Sequence, residues 1–246
     1  MDLLSFFRSL FGFGGRKKKL GSGYTGGYII QIRLYGPEKK YIRHVIYEVA
    51  RKFGVRANVR KRTVPHVTLY GTFSTNDVRR LTTTFESVCN KYAVQNNLVD
   101  ELVMFRLGGF KSFQGESERV ICLDVLPSEK LLLLTKELTH ELNKFCRGAP
   151  WDYRDDKIFH VTIAFRGIKH KHDAILTYLK KKKDVNRDFP IMRISIIKPG
   201  RKILVEYDLI LNKLLCRNEA KSHEVYRKSV LRIKKILECE GRDTPH

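Results

Sequence analysis

The sequence predicts an α+β fold made of two pseudo-symmetric strand–helix lobes, with further helices at its ends. Three observations carry this expectation. Segments with strand and helix periodicity alternate along most of the 246 residues. They fall into two halves of one plan, strand–helix–strand–helix–strand. Each half also opens its second strand with the same triplet, in "PHVTLYG" at 65–71 and "FHVTIAFRG" at 159–167.

Taken in order, residues 1–27 form an amphipathic segment and a basic, Gly-rich linker. Leu3, Phe6, Phe7 and Leu10 recur at helical spacing, ahead of "RKKK". Such a segment, residues 3–13, suits docking on an acidic membrane or on a protein partner, or packing on its own domain. "YIIQIRLY" (28–35) alternates as a half-buried strand. Pro37 opens a helix that stops at Gly54. "HVTLYG" is the next strand, a helix capped by Ser74 or Asn76 follows it, and "ELVMFRLGGF" closes the half as a strand. The second half runs through the strand "RVICLDVL", a helix starting at Ser128, the strand "FHVTIAF", the helix "KHDAILTYLKKKK" and the strand "FPIMRISII". The interval from the opening strand to the His is 38 residues in one half (Tyr28 to His66) and 41 in the other (Arg119 to His160). This reads as an internal duplication. The expected lobes are about 28–110 and 118–212, within one region 28–212. "RKILVEYDLILNKLL" adds a strand after the turn "KPGRK". Residues 213–246 end in a basic helix whose apolar stripe is Tyr226, Val230, Ile233 and Leu237.

Lys and Arg outnumber Asp and Glu by 48 to 26, which gives a net charge of +22. A surplus of that size favours a polyanionic partner, whether nucleic acid or an acidic membrane surface. The five cysteines are scattered and never spaced as C-x-x-C, which argues against a disulfide framework and a zinc–thiolate site. That usage suits a cytoplasmic protein, and no apolar run is long enough for a membrane-spanning helix. A monomer is expected. The two His of "KHKHD" (169–173) lack the further ligands that a metal site needs.

On a strand, His66 and Thr68 share one face while Val67 and Leu69 share the other, and the same parity holds for His160 and Thr162. With 8 His and 13 Thr, chance gives about 0.4 H-x-T triplets in the chain, so two alone decide little. Identical triplets at matching places in two similar halves are much harder to obtain by chance. If the lobes face each other, two imidazoles and two hydroxyls meet in one cleft. An imidazole with a pKa near 6.5 serves as either base or acid near neutrality. Threonine hydroxyls can donate to non-bridging phosphate oxygens.

The paired "HVTL" and "HVTI" motifs in a duplicated chain resemble the 2H phosphoesterase superfamily. The nearest branch is the RNA 2′,5′-ligase and 2′,3′-cyclic phosphodiesterase proteins. The resemblance covers about residues 28–212. It implies a bilobal fold with mostly antiparallel sheets facing a V-shaped central cleft. It also implies chemistry without cofactor or metal on 2′,3′-cyclic or 2′,5′-linked phosphates, with His66, Thr68, His160 and Thr162 as the catalytic groups. Many ligase-branch members carry an Arg soon after the second motif, and Arg166 stands six positions after His160. Around these motifs, Arg56, Arg60, Lys61 and Arg62 could steer a nucleic-acid backbone. Tyr24, Tyr70, Phe73, Trp151 and Tyr153 are candidates for stacking on a base. Arg62, Tyr70, Tyr153 and Arg166 are the expected substrate-binding residues. Three activities fit: a 2′,3′-cyclic phosphodiesterase of RNA ends with reversible ligase activity, a phosphodiesterase of a small 2′,5′-linked or cyclic signalling nucleotide, and a non-catalytic RNA-binding module. For opening a cyclic phosphate, the expected base is His160 and the expected acid is His66.

Overall fold

The computed structural model describes residues 27–55, 64–114, 119–148, 157–165, 167–182, 186–200 and 202–239. The expected N-terminal amphipathic segment therefore lies outside the described residues.

Strand β1 (Tyr28–Arg33) leads into helix α1 (Gly36–Phe53), which has Pro in its first turn. The helix ends at Gly54, whose φ of 65° is left-handed and costs a residue without Cβ little. Lys171 Nζ donates to the terminal Phe53 carbonyl at 2.7 Å. Strand β2 (His66–Phe73) and helix α2 (Val78–Lys91) follow. The cap of α2 is Asp77, whose carboxylate accepts from Arg80 N at 2.8 Å, rather than Ser74 or Asn76. Ser74 is committed elsewhere, because its backbone exchanges hydrogen bonds with Arg147.

Strand β3 (Met104–Gln114) starts three residues later than the sequence predicts. Residues 99–101 form a 3-10 turn, and Glu101 accepts from the Asn96 and Leu98 backbone N–H groups. Strand β4 (Arg119–Pro127), helix α3 (Glu129–Asn143, capped by Ser128), strand β5 (His160–Ala164) and helix α4 (His172–Lys180) stand where the second repeat predicts them. "FPIMRISII" is broken into β6 (Asp188–Pro190) and β7 (Arg193–Lys198). Pro190 has no N–H to give a ladder, so pairing stops there and the chain changes sheet. The last elements are β8 (Lys202–Asp208), β9 (Lys213–Cys216), α5 (Arg217–Lys221) and α6 (His223–Glu238).

The strands form two sheets, ordered β2-β1-β7-β8-β9 and β5-β4-β3-β6, and every recorded pairing is antiparallel. The expected lobe boundaries need correction here. The third strand of each repeat leaves its own half: β3 pairs with β4, and β7 pairs with β1. Three neighbouring strands of each sheet thus follow a matching order, β2-β1-β7 and β5-β4-β3, two from one repeat and one from the other, while β6 of the second repeat pairs beyond β3. A lobe divided at residues 110–118 would cut through both. One apolar core, from Ile30 and Leu69 to Leu123 and Ile163, runs through both sheets and their helices.

The C-terminal helix α6 lies on the polar face of the first sheet. Its buried positions are Ser229, Ile233 and Ile236, a stripe turned from the expected one. Ser229 Oγ donates to Asp208 Oδ2 at 2.5 Å, while Arg193 donates to Asp208 (2.8 Å) and Glu206 (3.2 Å). Burying a hydroxyl against this network lets the ions keep their partners, which an apolar stripe could not offer.

Candidate active site

The sheet order puts both His-Val-Thr motifs on edge strands, β2 and β5, and these two edges lie against each other. The parity read from sequence holds in both. His66, Thr68, His160 and Thr162 are half-buried, whereas Val67, Leu69, Val161 and Ile163 are buried in the core. The registers also match. His66 and Thr68 stand opposite Arg33 and Gln31 on β1, and His160 and Thr162 stand opposite Asp124 and Cys122 on β4.

The same local device orients each imidazole. His66 Nδ1 lies 2.9 Å from the Val64 carbonyl, and His160 Nδ1 lies 3.1 Å from the Ile158 carbonyl. A carbonyl only accepts, so Nδ1 carries the proton in each ring and Nε2 is the nitrogen left to exchange one. Both contacts reach back two residues, to the chain just before each strand begins. The rings are therefore set by the backbone that delivers them.

Burial holds the His160 pKa below the ordinary imidazole value. The bond to Ile158 opposes this, the charges of His66 and Lys157 reinforce it, and Asp124 opposes it. That the charge of His66 bears on His160 places the two in one electrostatic neighbourhood. Asp124 is tied to Lys111 Nζ at 2.5 Å, which blunts its pull on the imidazole. An uncharged His160 can take a proton near neutral pH. A second histidine nearby can give one, and two hydroxyls can donate to an anion between them.

Sequence reasoning missed three residues. Lys157 Nζ donates to the Leu69 carbonyl at 2.6 Å, joining the chain ahead of β5 to strand β2. Phe113 packs edge-on against the His160 ring, with centroids 5.0 Å apart at 68°. Asp124 stands beside His160 through strand pairing. None carries a motif, and only the pairing of distant strands brings them here.

Among the expected substrate-binding residues, Tyr70 is fully buried. Its hydroxyl donates to Asn143 Oδ1 and its ring packs on Phe73 at 4.8 Å. A ring with no exposed face cannot stack on a base, so Tyr70 is a packing residue in this structure, as is buried Phe73. Arg62, Tyr153 and Arg166 lie outside the described residues, as do Tyr24, Arg56, Arg60, Lys61 and Trp151. The two His of "KHKHD" diverge: His170 is exposed, and His172 is buried with Nδ1 2.7 Å from Asp173. Among the described residues no group of three or more His, Cys, Asp or Glu could hold a metal ion. No helix among them is long and apolar enough to cross a membrane.

A comparison with curated proteins finds no match to this sequence. Among solved structures, the chain is similar to Usb1 of Kluyveromyces marxianus determined with uridine monophosphate. Identity there is 12%, coverage is 78% of this chain and 98% of that one, and the TM-score is 0.44. It is also similar to a protein described as a phosphoesterase, at 13% identity, with 76% and 99% coverage and a TM-score of 0.45. The model of the 2′-5′ RNA ligase superfamily matches residues 41–202, which is well over half of the chain and includes both motifs. On that match the chain belongs to the 2′-5′ RNA ligase superfamily, the 2H phosphoesterases that its paired His-Val-Thr strands resemble.

Proposed function

We propose that this chain is a metal-independent phosphodiesterase that opens 2′,3′-cyclic phosphates at RNA ends, with two histidines as acid and base. One observation carries the reading. Two His-x-Thr strands meet edge to edge, each with its imidazole anchored through Nδ1 to the carbonyl two residues back. In the forward step His160 Nε2 takes a proton from water as the water oxygen bonds to phosphorus. The bond from phosphorus to one ribose oxygen breaks, and that oxygen takes the Nε2 proton of an imidazolium His66. The depressed pKa of His160 supports its assignment as base. Thr68 and Thr162 donate to the non-bridging oxygens, where charge builds. With the 5′-hydroxyl of a second strand in place of water, the same step would break the bond from phosphorus to one ribose oxygen and join the two ends, as a 2′,5′-ligase does.

The test uses an oligoribonucleotide ending in a 2′,3′-cyclic phosphate, incubated with EDTA. Wild type should hydrolyse it, and His66→Ala and His160→Ala should each lose about 10²–10⁴ in rate. The position of the product phosphate identifies the leaving oxygen. Turnover that EDTA abolishes, or that survives both substitutions, refutes the two-histidine mechanism. Turnover of 2′,5′-linked or cyclic dinucleotides alone would move the assignment to a signalling nucleotide. RNA binding without any turnover would leave a binding module.

A further inference from the structure

We infer that a basic groove between helix α1 and the α5–α6 corner binds the backbone of a single-stranded RNA whose end lies at His66 and His160. The inference rests on the RNA-end reading above and specifies its substrate class as an oligonucleotide chain rather than a mononucleotide or dinucleotide.

The groove encloses about 950 Å³. Lys39, Lys40, Arg43 and Tyr47 line one wall, a stripe at the three- and four-residue spacing of a single helix face. Lys221 and His223 line the other. No Asp or Glu lines it, and among the described residues Lys39, Lys40, Arg43 and Lys221 form no ion pair with a carboxylate. Elsewhere the acids are mostly spent on cations, as in Arg106–Asp188, Lys213–Glu219 and Lys228–Glu224. A concave run of unneutralised cations is costly to leave without an anion, and a phosphate backbone supplies one.

Position ties the groove to the site. Arg33 stands directly across from His66 on the neighbouring strand, and Lys39 feels the charges of both Arg33 and Arg43. Arg33 is itself paired with Glu206, so it marks how near the helix face lies to the strand beside His66, while the cations without a carboxylate partner among the described residues lie on the helix. Tyr35 and Arg193 also line the groove, and Arg193 belongs to the strand next to β1. Two strand spacings, about 10 Å, thus separate that lining from β2. Tyr47 is 43% exposed, with the Arg43 guanidinium 5.9 Å from its ring centre. Its free face suits stacking on a base. Among the described large apolar residues that are exposed, only Tyr47 lies here, so the groove has little to insert into a bilayer. Lys39, Lys40 and the α5–α6 wall also fall outside the family-matched residues 41–202, so these parts are additions to the shared core.

The experiment measures binding apart from chemistry. A fluorescein-labelled 12-nucleotide RNA with a plain 3′-hydroxyl is titrated by anisotropy against wild type and Lys40→Glu/Arg43→Glu/Lys221→Glu. In parallel, turnover of uridine 2′,3′-cyclic phosphate is followed for both proteins. Four cations predict a slope near −3 in log K against log salt for the wild type, at about 0.7 per contact. The variant should bind about tenfold or more weakly, with a slope shallower by about 2, and should turn over the mononucleotide as wild type does. Crosslinking of 4-thiouridine RNA to wild type should map to residues 39–47 and 221–226, which tests the groove even if the variant misfolds. Equal RNA binding by variant and wild type, or crosslinks only elsewhere, overturns the inference. So does tighter binding to phosphatidylserine vesicles than to RNA through the same residues. Failure of mononucleotide turnover in wild type would instead count against the catalytic reading and leave the groove to be judged by binding.

Discussion

Arg193→Met tests whether the ionic network under α6 holds the polar face of the first sheet in place. Arg193 is 1% exposed and donates to Asp208 at 2.8 Å, Glu206 at 3.2 Å, the Ala220 carbonyl at 3.3 Å and Ser229 at 3.4 Å. Glu206 also accepts from Arg33 at 3.1 Å and from the Tyr35 hydroxyl at 2.8 Å. The network therefore balances two cations against two carboxylates. Methionine fills much the same space but leaves two buried carboxylates facing a single cation. Breaking a buried pair by removing one partner costs about 3–5 kcal/mol. For a protein of 150–250 residues each kcal/mol lowers Tm by about 2–4 °C, so the expected fall is about 6–20 °C. The assay is thermal unfolding followed by circular dichroism and repeated with a urea titration. Adding Glu206→Gln and Asp208→Asn should recover part of the loss, because the orphaned charges go with the arginine. A Tm within about 2 °C of wild type for Arg193→Met alone would refute the reasoning, since it would mean that water already solvates these charges. Ser229→Ala, which removes the hydroxyl that donates to Asp208 and accepts from Arg193, should cost about 1.5–3 kcal/mol.

Three further outcomes are expected. With His160 as base, its depressed pKa keeps it unprotonated below the ordinary imidazole value, so the acid limb of kcat/KM should lie below about pH 6.5. Lys157→Met removes a cation and should move that limb to higher pH, whereas Asp124→Asn should move it lower; shifts of opposite sign in pH–rate profiles would exclude His160 as the titrating group. Gly148→Ala would put a Cβ 2.6 Å from the Tyr70 hydroxyl and 2.9 Å from Phe73 Cβ, so it should destabilise by about 1–3 kcal/mol in urea unfolding, and a neutral result would show that this corner yields freely. Phe113→Ala removes the ring packed edge-on against His160, so kcat should fall while KM holds, and an equal fall with the His160→Ala background would show that the ring acts by another route.

Much of the molecule was legible before any fold existed, because much of it is local. Alternation with period two and helical spacing near 3.6 placed nearly every strand and helix, with Pro37, Gly54 and Ser128 marking boundaries where the backbone demands them. The two His-Val-Thr triplets, their matching strand positions and their shared face all follow from the pleat, which sets orientation two residues at a time. The anchoring of each imidazole to a carbonyl two residues back is just as local, so it appears twice.

What the sequence could not decide was partner choice. The strands 104–114 and 193–198 are apolar enough to close either sheet. Only the summed burial and register of the whole chain sends each into the sheet of the other repeat. The same non-local choice places Lys157 on the Leu69 carbonyl, Phe113 on His160 and Ser229 over the Arg193 network. It also buries Tyr70, which strand parity alone would have offered to a substrate. Sequence thus determined which groups could do the chemistry, since residue type and spacing are local. Tertiary structure decided which groups surround them, since strand pairing is a contest among segments far apart in the chain.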